Sequence, residues 1–226
     1  MTSLRIKKDI RLHARLGLVL QALLIFGWIS PGSAQDLGEC GTLDNPYGPF
    51  DYNNPVHRAE KLPKVEKAHF DYGVRTLDGH SRKVFTWSAL AGDIAYTLRV
   101  CPNHHQALYS MAEYHVRNYQ ENQRMQYTPE CWFKRAHRWT PDDGNVWLIE
   151  GIYQAKTGKL VDAEKSYRRS IDLMPDSAEA HYNIGLLYVK LKEYELAREH
   201  AVRAYDLGYP MPGLKSKLAR LGEWQQ

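Results

Sequence analysis

Between positions 144 and 209, apolar and small residues recur with the period of an α-helix, and the blocks they form recur every 34 residues. Gly151 returns as Gly185, Ala163 as Ala197 and Pro141 as Pro175. Each block reads as two helices joined by a turn, a unit too thin to bury its own apolar face. The pattern predicts an all-α fold: an antiparallel helix-pair solenoid whose core forms by stacking.

The same template runs further upstream. Ile94, Thr97 and Leu98 stand before Pro102 at the offsets that Phe133, Ala136 and His137 keep before Pro141, and Tyr167, Ser170 and Ile171 before Pro175. Four units follow: a degenerate one over 64–102, then 105–141, 144–175 and 178–209. Helix is predicted over Lys64–Leu77, with a break at Gly79 and His80, and again over Trp87–Val100. The second unit carries an insertion in Asn118–Tyr127, after which Thr128 as N-cap and Pro129 as first residue restart the helix. Pro212 opens a last helix, 212–222, with Leu214, Leu218 and Leu221 on one face and Gly222 as its stop. It reads as a cap on the open end of the stack, completing a helical domain over 63–226.

Residues 35–62 have a different texture. Asn45-Pro46, Gly48-Pro49 and Asn54-Pro55 forbid helix, yet Tyr47, Phe50 and Tyr52 are interleaved with them, unlike a flexible linker. An extended arm that docks its aromatics is expected. Ahead of it, Arg5, Lys7, Lys8, Arg11 and Arg15 precede the apolar run Leu16–Ile29 and then Pro31, Gly32, Ser33 and Ala34. This is the layout of a secretory signal peptide cut after Ala34, with an uncleaved inner-membrane anchor as the alternative.

The small residue midway along each first helix, the alanine in each second helix, Tyr167 four residues after Ala163, and the closing proline resemble the tetratricopeptide repeat (TPR) family. Glu150, Gln154 and Ala201 depart from its pattern. The opening Cys40-Gly41 through Tyr47-Gly48-Pro49-Phe50-Asp51-Tyr52 also resembles the arm of a group of exported bacterial repeat proteins. The resemblance implies a right-handed superhelix and a concave groove lined by the first helices. Carried over residue by residue, it places Tyr109, Leu148 and Tyr182 in one row and Glu113, Ile152 and Leu186 in the next. Val116, Ala155 and Val189 follow, then a basic row of Arg117, Lys156 and Lys190. Such a groove suits a polypeptide segment with apolar anchors and a flanking acid. The lysine and asparagine of the family's carboxylate clamps are absent from Tyr109 and Leu148, so that mode is disfavoured. The arm itself is a candidate occupant, through intramolecular docking.

Charge adds little once the leader is set aside. Residues 1–34 hold five of the 30 Lys and Arg but one of the 26 Asp and Glu, so the remainder is neutral. Nucleic acid and an anionic membrane surface are not expected partners, nor is membrane insertion after cleavage. Three cysteines allow three pairings; Cys40 with Cys131 is favoured because it ties the arm to the solenoid, against the alternative of three buried thiols. The ten histidines show no paired ligand spacing, so no metal and no cofactor are expected, and solvated helix-surface positions suit them. Cys131 and His137 lack the spacing of a nucleophile and its base. The expectation is a non-catalytic, exported scaffold of the bacterial envelope, periplasmic or secreted, binding another protein or peptide. The alternatives are a metal- or thiol-dependent periplasmic enzyme and a domain that only self-associates. An enzyme would gather several of His57, His69, His80, His104 and Cys131 at one pocket.

Overall fold

The computed structural model describes residues 40–77, 86–117 and 126–224. A π-helical turn, His57–Lys61, leads into ten α-helices: α1 (Leu62–His69), α2 (Tyr72–Thr76), α3 (Trp87–Val100), α4 (His105–Arg117), α5 (Pro129–Trp139), α6 (Gly144–Lys156), α7 (Leu160–Leu173), α8 (Ala178–Leu191), α9 (Tyr194–Asp206) and α10 (Gly213–Arg220). No strand occurs among the described residues. The signal segment, Gly79, His80 and positions 118–125 of the insertion lie outside them, as do residues 35–39 of the arm. No helix among the described residues is long and apolar enough to cross a membrane.

Side chains start the helices where the sequence offers them. Asp71, Thr86, Thr128, Asp143 and Ser177 each accept a hydrogen bond from a first-turn amide of α2, α3, α5, α6 and α8 respectively. Such caps satisfy amides that the helix itself leaves without partners.

Two sequence readings need correction at the N-terminal end. Helix begins at Pro55, inside the stretch assigned to the arm, and from His57 it continues as a π turn whose closing bond runs from Leu62 N–H to His57 O. Pro63 cannot donate to the carbonyl four residues back and its ring crowds that carbonyl, a conflict the wider turn avoids. The helix expected over Lys64–Leu77 is also two helices, because Phe70 leaves helical geometry and the Asp71 side chain restarts the chain as α2. Leu77 then takes a left-handed conformation.

The pairs α6/α7 and α8/α9 pack along their lengths, whereas α4 and α5, separated by the insertion, meet over a shorter span. The first helices α4, α6 and α8 lie side by side. Helix α6 is the seam of the molecule. Its Val146, Ile149 and Tyr153 join one core with Leu108, Met111 and Phe133, while Leu148 joins a second core with Tyr167, Ile184 and Leu187. A helix packed on both flanks must be apolar nearly all round, and the sequence Val146-Trp147-Leu148-Ile149 supplies that.

The glycines in register have different tasks. A Cβ on Gly151 would stand 2.6 Å from the Tyr167 ring, so this glycine makes room for Tyr167, which shares a core with Ile184 and Leu187 of the next pair. At Gly185 the obstacle is Leu214 of α10, also at 2.6 Å. Helix α10 covers α8 and α9 with Leu214 and Leu218 buried, but Leu221 falls beyond its last turn and is exposed. The apolar face of the cap is therefore one residue shorter than predicted.

Candidate functional site

The arm has a site of its own, away from the groove. Cys40 and Cys131 form a disulfide, and the third cysteine, Cys101, is a buried thiol. Beyond the disulfide the backbone is gripped by α5: Arg135 Nη1 donates to Cys40 O and Thr42 O, Arg138 Nη2 to Gly41 O, and Trp139 Nε1 to Phe50 O. Phe50 N–H donates to Val100 O at the end of α3. Tyr52 packs its ring on His104 and His105, at 4.5 and 4.7 Å between centroids.

Beneath Tyr52 lies a polar network assembled from distant parts of the chain. Asn103 Nδ2 donates to Asp51 Oδ1 and to Asp143 Oδ2, while its Oδ1 accepts from Tyr52 N–H. Asp143 Oδ2 also takes Asn53 Nδ2 and His105 Nε2, each at 2.8 Å. Burial alone would raise the Asp143 pKa, yet the bonds from His105, Asn103 and Asn53 outweigh it and hold the carboxyl below its ordinary range. Residues 53 and 143 are 90 apart in the chain, which is why no local spacing announces them.

The groove crosses α4, α6 and α8. Two clefts make it up. The first, about 350 Å³, is lined by Tyr109, Leu148, Ile149 and Ile152 with Arg75, His105, Gln106, Asn145 and Glu179 around them. The second, about 220 Å³, runs from Ile152 and Ala155 to Leu186 and Leu187, with Lys156 and Lys190 at its edge. Ile152 belongs to both and forms the ridge between them. None of the residues 41–56 lines either cleft, so this described part of the arm, with its three aromatics, does not occupy the groove. Phe50 and Tyr52 pack on His57, His104 and His105 instead, and Tyr47 packs on Phe50.

The predicted rows are placed as follows. In the first row Tyr109 is open, at 42% exposure, but Leu148 and Tyr182 are buried, at 3% and 8%. Tyr182 stacks on Tyr209 at 4.2 Å and lies against Gly213, so the capping helix closes that end. In the second row Ile152 and Leu186 are half-buried, while Glu113 is a meeting point for cations: Lys156 and Arg117 both pair with it. The basic row is consequently engaged. Lys156 also stands over the Tyr109 ring at 5.6 Å, and Lys190 donates to Ala155 O. These cations lie at helix C-termini, where the helix dipole favours them regardless of any ligand.

Among the described residues His104 and His181 are buried and the other histidines half-buried, where freely solvated positions are expected. His104 is fully buried and pairs with Glu66 at 3.0 Å, His69 with Asp93 at 2.9 Å, and His137 with Glu150 at 2.7 Å while stacking on Trp147. His181 and His200, on separate helices, meet at 2.9 Å through their Nδ1 atoms. Each site accepts an imidazole because a neighbouring helix presents a hydrogen-bonding partner, which one-dimensional periodicity does not register. Glu150, a departure from the repeat pattern, is explained by His137, and Gln154 by the bond it accepts from Ser166. No group of three or more His, Cys, Asp or Glu able to hold a metal occurs among the described residues.

The fold and this groove define the class: an all-α helical-repeat solenoid. Residues 155–192 match the family described as TPR repeat, which supports a protein-binding scaffold in general terms. The chain is 33% identical over 63 residues to Cilia- and flagella-associated protein 70 of Homo sapiens, covering 26% of this chain and 6% of that protein. It is 28% identical over 86 residues to the Peroxisomal targeting signal receptor of Candida albicans, covering 38% and 14%. The matches thus span a small part of these relatives. Among solved structures, MamA RS-1 ArsTM double mutant aligns with a TM-score of 0.46 and 16% identity, over 67% of this chain and 78% of that one. MamA 41-end from Desulfovibrio magneticus RS-1 aligns with 0.43 and 14%, over 67% and 88%.

Proposed function

We propose that the protein is a non-catalytic scaffold of the bacterial cell envelope, exported after removal of residues 1–34, that holds a segment of another polypeptide in the groove across α4, α6 and α8. The observation that carries this is the pair of apolar clefts joined at Ile152. Neighbouring helices in such a stack sit about 8–10 Å apart. Two anchors separated by three residues of extended chain, about 10 Å, would reach both clefts.

Export is supported by the basic, apolar and small residues of positions 5–34 and by the Cys40–Cys131 disulfide, a bond that persists in oxidising compartments. The non-catalytic reading is supported by where the candidate chemistry goes. His57 accepts from Asp51 N–H, His69 pairs with Asp93, His104 with Glu66, and Cys131 is in the disulfide. These four have four separate partners, and none of them lines either cleft of the groove.

The test is a selection from a displayed peptide library on the chain from residue 35 onward, compared with Ile152→Asp and Tyr109→Ser. Tyr109 is exposed and Ile152 half-buried, so these changes disturb the core less than changes at buried Leu148 and Tyr182 would, and the urea midpoint of each variant checks that it folds. Peptides that bind the parent and are lost from Ile152→Asp with unchanged circular dichroism support the groove. Peptides that bind both proteins equally would refute it.

A further inference from the structure

The charged residues bordering the groove divide unequally. Arg117 and Lys156 converge on Glu113, Lys190 is held by Ala155 O, and the Arg75 guanidinium lies over the Phe70 ring at 5.5 Å. Glu179, in the first turn of α8, lines the larger cleft and has no hydrogen-bond or ion-pair partner for its carboxylate among the described residues. It sits close enough to Tyr167 and Tyr209 to act on both phenols electrostatically. Desolvation raises its own pKa, with no cation among the described residues offsetting the effect. Glu179 is exposed in the free chain; a segment seated in the cleft would cover its carboxylate, and a cation on that segment would offset the cost by charge and hydrogen bonding.

We infer that Glu179 sets the specificity of the groove, selecting a polypeptide segment in which a lysine or arginine stands next to the aliphatic or aromatic residue that fills the Leu148–Ile152 cleft. This rests on the groove reading above and reverses the charge that the basic row alone suggests. The cations of that row already have partners, so an acidic ligand would have to break the Glu113 bridge to reach Lys156 or Arg117. A basic ligand breaks nothing. The carboxylate is at the N-terminal edge of the groove with Gln106 and Asn145, whose amides can bond the backbone of a bound segment.

The test uses N-acetylated peptides from the selection, titrated into the parent chain, Glu179→Gln, Glu179→Lys and Ile152→Asp. The expected result is enrichment of Lys or Arg beside the apolar anchor. Affinity should fall about two- to fivefold in Glu179→Gln at low salt, the range of a partly screened ion pair. Replacing the peptide's basic residue by methionine should weaken binding to the parent by the same factor and have no further effect on Glu179→Gln. Glu179→Lys should prefer the peptide with glutamate at that place. Binding lost in Ile152→Asp but unchanged in Glu179→Gln would overturn the role of Glu179 while leaving the groove standing. Binding unchanged in Ile152→Asp, or no selected peptide at all, would overturn the groove reading and this inference with it.

Discussion

His105 Nε2 stands 2.8 Å from Asp143 Oδ2, and this bond joins the arm's docking site to the groove. His105 lines the larger cleft on one side, while Asp143 on the other holds Asn53 of the arm and Asn103 of the α3–α4 turn. Asp143 also caps α6 through Asn145 N–H. Asp143→Ala removes one cap and leaves three donors without their charged acceptor. We expect a loss of about 3 kcal/mol, read as a shift in the urea midpoint, and faster proteolysis within residues 41–56. An unchanged midpoint would mean that the network contributes nothing net.

The disulfide closes a loop with a sequence separation of 91. Restricting an unfolded chain over that length is worth about 4–5 kcal/mol in the loop-entropy picture. Cys40→Ser, or reduction, should therefore lower the thermal midpoint markedly and release the arm from Arg135 and Arg138. Cys101 should not react with iodoacetamide in the native protein, since burial, reinforced by Asp51, Glu66 and Asp143, pushes its thiol pKa up. Rapid alkylation of one thiol in the native chain would contradict that placement.

Acid should weaken the fold in two stages. His104, His115 and His200 are each held below the ordinary imidazole pKa, chiefly by desolvation. The unfolded chain therefore binds more protons than the folded one as pH falls through about 6.5, and stability present above that value is lost below it. His181 sharpens the effect. Its Nε2–H donates to Pro175 O, so in the neutral pair its Nδ1 accepts from His200 Nδ1–H. His200→Asn, which keeps a donor near that position, should flatten the urea midpoint between pH values of about 7.5 and 5, either side of the imidazole range. The second stage, below about 4.5, protonates Glu66, Glu130 and Asp143, whose pKa values are lowered in the fold.

Glycines within helices should respond in opposite directions. Gly151→Ala drives a methyl into the Tyr167 ring and should cost about 1–3 kcal/mol as an overpacked site. Gly92, exposed inside α3, would give a Cβ nothing to meet within 4 Å. Gly92→Ala should stabilise by about 0.5–1 kcal/mol, the difference in helix propensity. Thermal melts of the two variants check both signs.

What the sequence determined by itself was the repeat. Helical period, the 34-residue recurrence, Thr128-Pro129 and the closing prolines are local signals, and the helices from α3 to α10 begin and end close to where those signals stand. The placing of Tyr109 and Ile152 on an open face also follows from repeat register, since equivalent positions of successive first helices share a direction. Tertiary structure decided which of those positions remain open. Tyr182 has the register of Tyr109, but α10 folds over it, and only the path of the last helix could reveal that. The same holds for polar groups. Glu113 collects Lys156 from the next first helix, and Asp143 collects Asn53 from the arm, through bonds between residues 43 and 90 apart. Periodicity reports which side of a helix is buried; the partner of a buried polar group is set by where another helix ends, and that is a property of the packed chain.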